Sequence, residues 1–310
     1  MRGRFFALPG AIFIAVAAAL WGTDALLRKP LAESTQAATI VFGEHLVLVL
    51  LTLPLIPPAL IAVRRAGPRY VAAAVMIGVG ASAIATILFT QAFVEGDPVT
   101  PVVLQKVQPL VAVVGAWFIL RERPRKGFAW FLVAGLVGIW LIAFPSPFEI
   151  HVGAALPAIY ALVAAVLWAL GTVLGRLLAT RLWFGHVTAL RFAFGLPASA
   201  LAVLLVGAPF TTSASDFAWI AVLAIVTGLV ALSLYYYGLQ RTPAVIATLA
   251  ELTFPVTAAA VGYFAFGATL DGSQWLGLAL TTLVVALLPI QGLRVVRVRG
   301  EKLLPAPTSP

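Results

Sequence analysis

The sequence predicts an all-α integral membrane protein of ten transmembrane helices, arranged as two inverted five-helix repeats. Three observations predict it. Apolar residues make up 62% of the 310-residue chain and charged residues only 10%, where soluble domains carry about 25% charged residues. Ten apolar runs follow one another, most of them near the roughly 20 residues that cross a hydrocarbon core. Landmarks of the first half also return in the second at a nearly constant interval. Trp21 lies 147 residues before Trp168, Glu44 lies 147 before Arg191, and Pro109 lies 146 before Pro255.

Helix 1 is predicted from about Ala11 to Leu27, after Arg2 and Arg4, with Trp21, Gly22 and Asp24 inside it and Arg28-Lys29-Pro30 ending it. Ala17–Ala19 imitate a signal-peptide cleavage site. The run has a counterpart in the second half, so it is read as a span. Helix 2, about Thr35 to Pro57, carries Glu44 and His45, and Arg64, Arg65 and Arg69 fill the next loop. Helix 3 runs from about Tyr70 to Phe93 with Ser82, Thr86, Thr90 and Gln91.

Helix 4 is the unusual one. Gln105, Lys106, Gln108 and Pro109 stand in its middle, and it stops at Arg121-Glu122-Arg123. A Lys at the centre of a bilayer costs about 2.5–3.5 kcal/mol even on insertion scales, so these residues are expected to face a bundle interior or wet cavity. Helix 5, about Phe128 to Phe144, is uncharged, and Pro145 to Gly153 reads as a midpoint linker. Helix 6 (about Ala154 to Leu174) has Trp168, and helix 7 (about Gly185 to Val206) has Arg191. Helix 8 (about Phe217 to Leu239) ends near Tyr235-Tyr236-Tyr237, and helix 9 (about Pro243 to Phe266) has Glu251 and Pro255. Helix 10 spans about Gln274 to Leu293. The expected division is 1–148 and 149–293 for the repeats, with 294–310 as a basic tail.

Charge fixes the expected orientation. All but four of the 20 Lys and Arg fall in the N-terminus, the 2–3, 4–5, 6–7 and 8–9 loops and the tail. Arg28 and Lys29 are assigned to the opposite side, while Lys106 and Arg191 lie within spans. The positive-inside rule therefore puts both termini in the cytoplasm of an inner-membrane, multi-pass protein. The same distribution accounts for the net charge of +9 without a nucleic-acid partner. The chain has no cysteine and three scattered histidines, which removes thiol chemistry and the usual metal spacings. No nucleophile–base set is visible, so an enzyme is not expected.

Five spans per repeat force the second copy to lie inverted. Inverted repeats enclose a midplane substrate site that opens alternately to either side, which is a transporter's construction. The chain resembles the drug/metabolite transporter superfamily, specifically its ten-helix EamA-type carriers. The residues that carry the resemblance are Leu20, Trp21, Gly22 and Lys29, Gln108 and Pro109 with Leu120 to Arg123, and Glu251 with Pro255. Two departures are Glu44-His45, where relatives often have a basic residue, and Phe266-Gly267-Ala268, where they have Gly-Glu. The resemblance implies export or uptake of a small metabolite with no bound cofactor, and export is the expected direction here.

The expected substrate-binding residues are Trp21, Glu44, Gln105, Lys106, Gln108, Trp168, Arg191, Tyr236 and Glu251. Lys106 either anchors a substrate carboxylate or neutralises Glu251, and Glu44 and Arg191 are expected to pair, since buried charges need partners. Pro109 and Pro255 cannot donate to the carbonyls of Gln105 and Glu251, so each repeat is expected to expose polar backbone beside its charge. Trp21 and Trp168 are expected to wall a common cavity, and Gly171 with Gly175 suits close helix packing. A zwitterion such as an amino acid fits this interior best, with an organic cation as the alternative. The partners are thus the bilayer and a small-molecule substrate, with proton coupling through Glu44 or Glu251 a further reading. The oligomeric state is left open.

Overall fold

Among the described residues, ten helices form where the ten apolar runs lie. The computed structural model describes residues 10–95, 104–124, 127–143, 155–267, 269–287 and 296–297, the side chains at 93–95, 106, 143 and 296–297 excepted. In chain order, α1 is Gly10–Ser34, α2 Ala37–Ala66 and α3 Pro68–Ala92. A 3-10 turn, Gln105–Val107, leads into α4, Gln108–Leu120, and α5 is Phe128–Ala143. The second half gives α6 Ala155–Ala179, α7 Phe184–Val206, α8 Ala214–Leu239, α9 Ala244–Phe266 and α10 Gly272–Leu287. Seven of these are long and apolar enough to cross a membrane, and α4, α5 and α10 are shorter apolar helices. The expected linker at Pro145 to Gly153 lies outside the described residues, as does the tail beyond 297.

Three helix ends run past the sequence-based expectation: those of α1, α2 and α6, the last of which reaches Ala179 and takes Arg176 into its final turn. Arg28, Lys29 and Pro30 do not stop α1, which continues to Ser34 after a break at Thr23. The reason is local: Arg28 bonds Asp24 one turn earlier and Glu44 on α2, so it can stay inside a helix among apolar neighbours. α2 likewise runs on to Ala66, so Arg64 and Arg65 occupy its last turn, where cations suit the helix dipole. Gly67 alone turns the chain into α3, at φ 115°, a backbone angle that favours glycine.

The repeat is written into the irregularities as well as the helices. π-helical turns occupy Ile77–Ile84 in α3 and Ala224–Val230 in α8, and their first residues are 147 apart. Left-handed C-caps fall at Arg121 (φ 57°) and Gly267 (φ 66°), 146 apart, with amides bonded to Ala116 O and Gly262 O. Packing follows the same twofold logic. α1 packs on α8 as α6 packs on α3, α4 packs on α6 as α9 packs on α1, and α2–α7 and α5–α10 meet their own counterparts. Close approach needs small residues: a Cβ on Gly171 would come 2.7 Å from Ala81 Cβ, and one on Gly175 2.8 Å from Tyr236 Cε1. At one end, Glu122–Arg123 pairs antiparallel with Val296–Arg297, which returns the start of the tail to the α4–α5 turn.

Candidate functional site

The break in α9 sets the position of Glu251. Because Pro255 has no amide hydrogen, the helix is interrupted after Ala250 and resumes at Thr253. The carbonyl of Glu251 is not left free, however. Phe254 N donates to it at 3.0 Å, and Gln108 N likewise takes the Gln105 carbonyl that Pro109 cannot reach. The expectation of exposed backbone beside the prolines is therefore corrected: a tighter i→i+3 bond recovers each carbonyl.

The Glu251 side chain is held by neutral donors. Tyr235 Oη donates to Oε1 at 2.7 Å, Thr172 Oγ1 to Oε1 at 3.1 Å and Gln108 Nε2 to Oε2 at 3.0 Å. These donors come from α8, α6 and α4, so the carboxylate sits where both repeats meet. Tyr235 also reaches Thr172 Oγ1 at 2.9 Å. The Trp21 ring lies 5.1 Å from that of Tyr235, and its Nε1 donates to Thr227 O at 2.9 Å, inside the π-turn of α8. Gln105 Oε1 is buried with no hydrogen-bond partner among the described residues. The expected pairing of Lys106 with Glu251 involves a side chain outside the described residues.

Arg191 belongs to a second polar cluster on α7. It donates to Ser82 Oγ at 3.2 Å, Tyr236 Oη at 3.1 Å and Ala81 O at 3.2 Å. Ala81 lies in the π-turn of α3. Each π-turn thus gives a carbonyl to a polar side chain of the other repeat, Ala81 to Arg191 and Thr227 to Trp21. Turns of this kind shift the backbone ladder and commonly mark functional positions. His45 joins the cluster through Ser82 Oγ at 2.9 Å and holds Val41 O at 2.8 Å. Its ring fits because residue 195 is glycine, since a Cβ there would overlap the imidazole.

Glu44 does not pair with Arg191, which corrects the sequence-based expectation. Its partner is Arg28, whose Nη2 reaches Glu44 Oε1 at 2.8 Å while Nε and Nη2 hold Asp24 at 2.6 and 3.0 Å. Equivalence by repeat puts Glu44 and Arg191 on mated helices, but each bonds the groups beside it. Trp168 meets Phe89 at 4.8 Å between ring centres. The α6–α3 contact of Trp168 corresponds to the α1–α8 contact of Trp21 and Tyr235, so the two tryptophans stand in symmetry-related aromatic pairs.

Of the expected residues, Trp21, Gln108, Arg191, Tyr236 and Glu251 are linked through adjacent Tyr235 and Tyr236. Glu44 stands apart with Arg28. Thr172, Ser82 and Tyr235 were not singled out as site residues by sequence. Tyr235 alone carried a signal, as one of three consecutive tyrosines. Tyr237, the third, turns to the helix end, under Arg241 at 3.7 Å and beside Phe13 and Phe184.

Ten apolar helices in two mated sets, with charges and hydroxyls at the seam between them, define a membrane transporter. The chain belongs to the EamA-like transporter family, which matches it twice, over residues 8–144 and 155–289. It is 27% identical over 284 residues to a riboflavin transporter, ImpX, of Fusobacterium nucleatum, covering 86% of this chain and 93% of that one. It is also 27% identical over 300 residues to an uncharacterized transporter, YwfM, of Bacillus subtilis, covering 91% of this chain and 93% of that one. A solved crystal structure superposes with a TM-score of 0.70 at 18% identity, over 91% of this chain and 96% of that one, a likeness of fold alone.

Proposed function

We propose that this transporter is a secondary carrier of the cytoplasmic membrane that exports a small zwitterionic metabolite, an amino acid or a close relative. The two halves, 1–148 and 149–293, alternate in access around the site, and both termini with the tail 294–310 lie in the cytoplasm. One observation carries the reading. Glu251 and Arg191 have opposite charge, neither has an ion-pair partner among the described residues, and Tyr235 and Tyr236 join them through consecutive positions. A substrate ammonium would take the place of neutral donors at Glu251, aided by the unused Gln105 Oε1. Its carboxylate would meet Arg191. Lys106 is a second candidate for that carboxylate. Glu251 can also carry a proton in exchange for substrate.

Counterflow in proteoliposomes tests this directly. Saturable exchange of a labelled amino acid, lost in Glu251→Gln and in Arg191→Gln, is expected. Exchange of organic cations that survives Arg191→Gln would favour a second reading, a carrier for amines. That reading draws on the Trp21–Tyr235 aromatic pair beside the Glu251 carboxylate, a setting suited to cation–π contact. Riboflavin belongs in the same screen because a relative is named for it.

A further inference from the structure

The two faces of the molecule are not fastened alike. On the face with the α4–α5, α6–α7 and α8–α9 turns, Arg176 gathers three segments. Its Nη1 donates to Leu239 O at 2.6 Å and to Gln240 O at 2.8 Å, and its Nε lies 3.5 Å from Glu122 Oε1. Glu122 is only 2% exposed, and its Oε2 lies 3.5 Å from the Val245 amide. Gln240 Nε2 donates to Leu182 O at 2.8 Å, tying the α8–α9 turn to the α6–α7 turn. The Glu122 contacts cross from the first half to the second.

The inverted repeat states what the opposite face should carry. The counterpart of Arg176 is Lys29, 147 residues earlier, and the counterpart of Glu122 is Ala268, 146 residues later. The acid is missing from the sequence. Lys29 Nζ instead lies over the Phe266 ring at 4.9 Å, with no ion-pair partner among the described residues. Arg28 on that side bonds Asp24 and Glu44, both in its own half. Asp216 there takes hydrogen bonds across the halves from Ser34 and Thr35, which are neutral.

We infer that Glu122 and Arg176 are the gate residues of their face, and that the missing counterpart makes the opposite gate the weaker one. The resting carrier is therefore held closed on the Glu122 face. This rests on the alternating-access reading above. Burial pushes the Glu122 carboxyl up, and the Arg176 guanidinium with the amides of Val245 and Ala244 works against that. Without Arg176 the carboxylate would be stranded, and opening the face to water would relieve it.

The chain has no cysteine, so pairs of introduced cysteines can carry spin labels without background. Arg123→Cys with Arg241→Cys spans the gated face, and Glu33→Cys with Asp271→Cys spans the other, all four positions being exposed. Arg176→Gln should lengthen the first distance and shorten the second. Adding Glu122→Gln should bring both back only part of the way, because the stranded carboxylate is then gone but the pair that fastens the face is not restored. Lengthening confined to the first pair is local loosening and overturns the inference, as does no change at either pair or a double variant whose two distances equal the parent's. Should Arg176→Gln fail to fold, the parent chain decides. One short, narrow population at the first pair is expected there, and a mixed one overturns the gate. Counterflow on the same preparations judges the substrate reading separately, so distance changes without counterflow support the gate and count against the proposed substrate alone.

Discussion

Tyr235 Oη donates to Glu251 Oε1 at 2.7 Å, the shortest of the three hydrogen bonds this carboxylate accepts among the described residues. The next residue, Tyr236, accepts from Arg191. Successive residues of a helix point about 100° apart, so one turn of α8 addresses an acid on one side and a base on the other. A change of rotation or tilt in α8 would act on both charges together.

Tyr235→Phe keeps the ring and its packing and removes only the hydroxyl. A hydrogen bond to a charged group contributes about 1.5–3 kcal/mol to the folded state, so the variant should melt lower in detergent. Because the substrate ammonium replaces this donor, the substrate concentration for half-maximal counterflow should fall by about tenfold or more. Tyr236→Phe should have a comparable effect on a zwitterion and little on a simple amine, which makes the pair of variants a test of substrate class. Equal insensitivity of transport to both would remove the tyrosines from the site.

Gly195 is predicted to be intolerant of any side chain. A Cβ would overlap the His45 ring, and forcing one atom into a packed interior costs about 1–3 kcal/mol. Gly195→Ala should therefore lower the melting temperature in detergent. Combining it with His45→Ala should recover part of the loss, since the clash is then gone. An unchanged melting temperature in the single variant would show that α2 and α7 can separate freely here.

The helices were legible because bilayer-length apolar runs leave few alternatives, and the repeat because Trp21/Trp168, Glu44/Arg191 and Pro109/Pro255 mark it. The site was only half legible. Gln108 and Glu251 stood out as polar groups in apolar runs, but a threonine such as Thr172 costs little in a membrane helix and gives no such signal. The π-turns were invisible, since inserting one residue into a turn leaves the hydropathy of α3 and α8 unchanged. Arg28 was misplaced for a physical reason too. A basic residue before proline at the end of an apolar run reads as a loop, and only the carboxylates of Asp24 and Glu44 keep it inside the helix.

That arginine gives the last prediction. Arg28 holds Asp24 through two nitrogens and Glu44 through one, and the Glu44 side chain is 9% exposed. Arg28→Met should leave two carboxylates without their cation, and stranding a buried charge in this way costs about 3–5 kcal/mol. Neutralising all three, as Asp24→Asn with Arg28→Met and Glu44→Gln, should recover most of that loss, because no charge is then left unpaired. A double-mutant cycle separates the observed pairing from the one that repeat equivalence suggests. Glu44 and Arg28 should show a coupling of about 0.5–3 kcal/mol, whereas Glu44 and Arg191, which share no partner, should add to within about 0.3–0.5 kcal/mol. Thermal or denaturant unfolding of the four variants in each cycle measures both couplings. A large coupling to Arg191 and none to Arg28 would mean that the carrier spends its time in a state with the opposite pairing, and the structural assignment of Glu44 to Arg28 would fall.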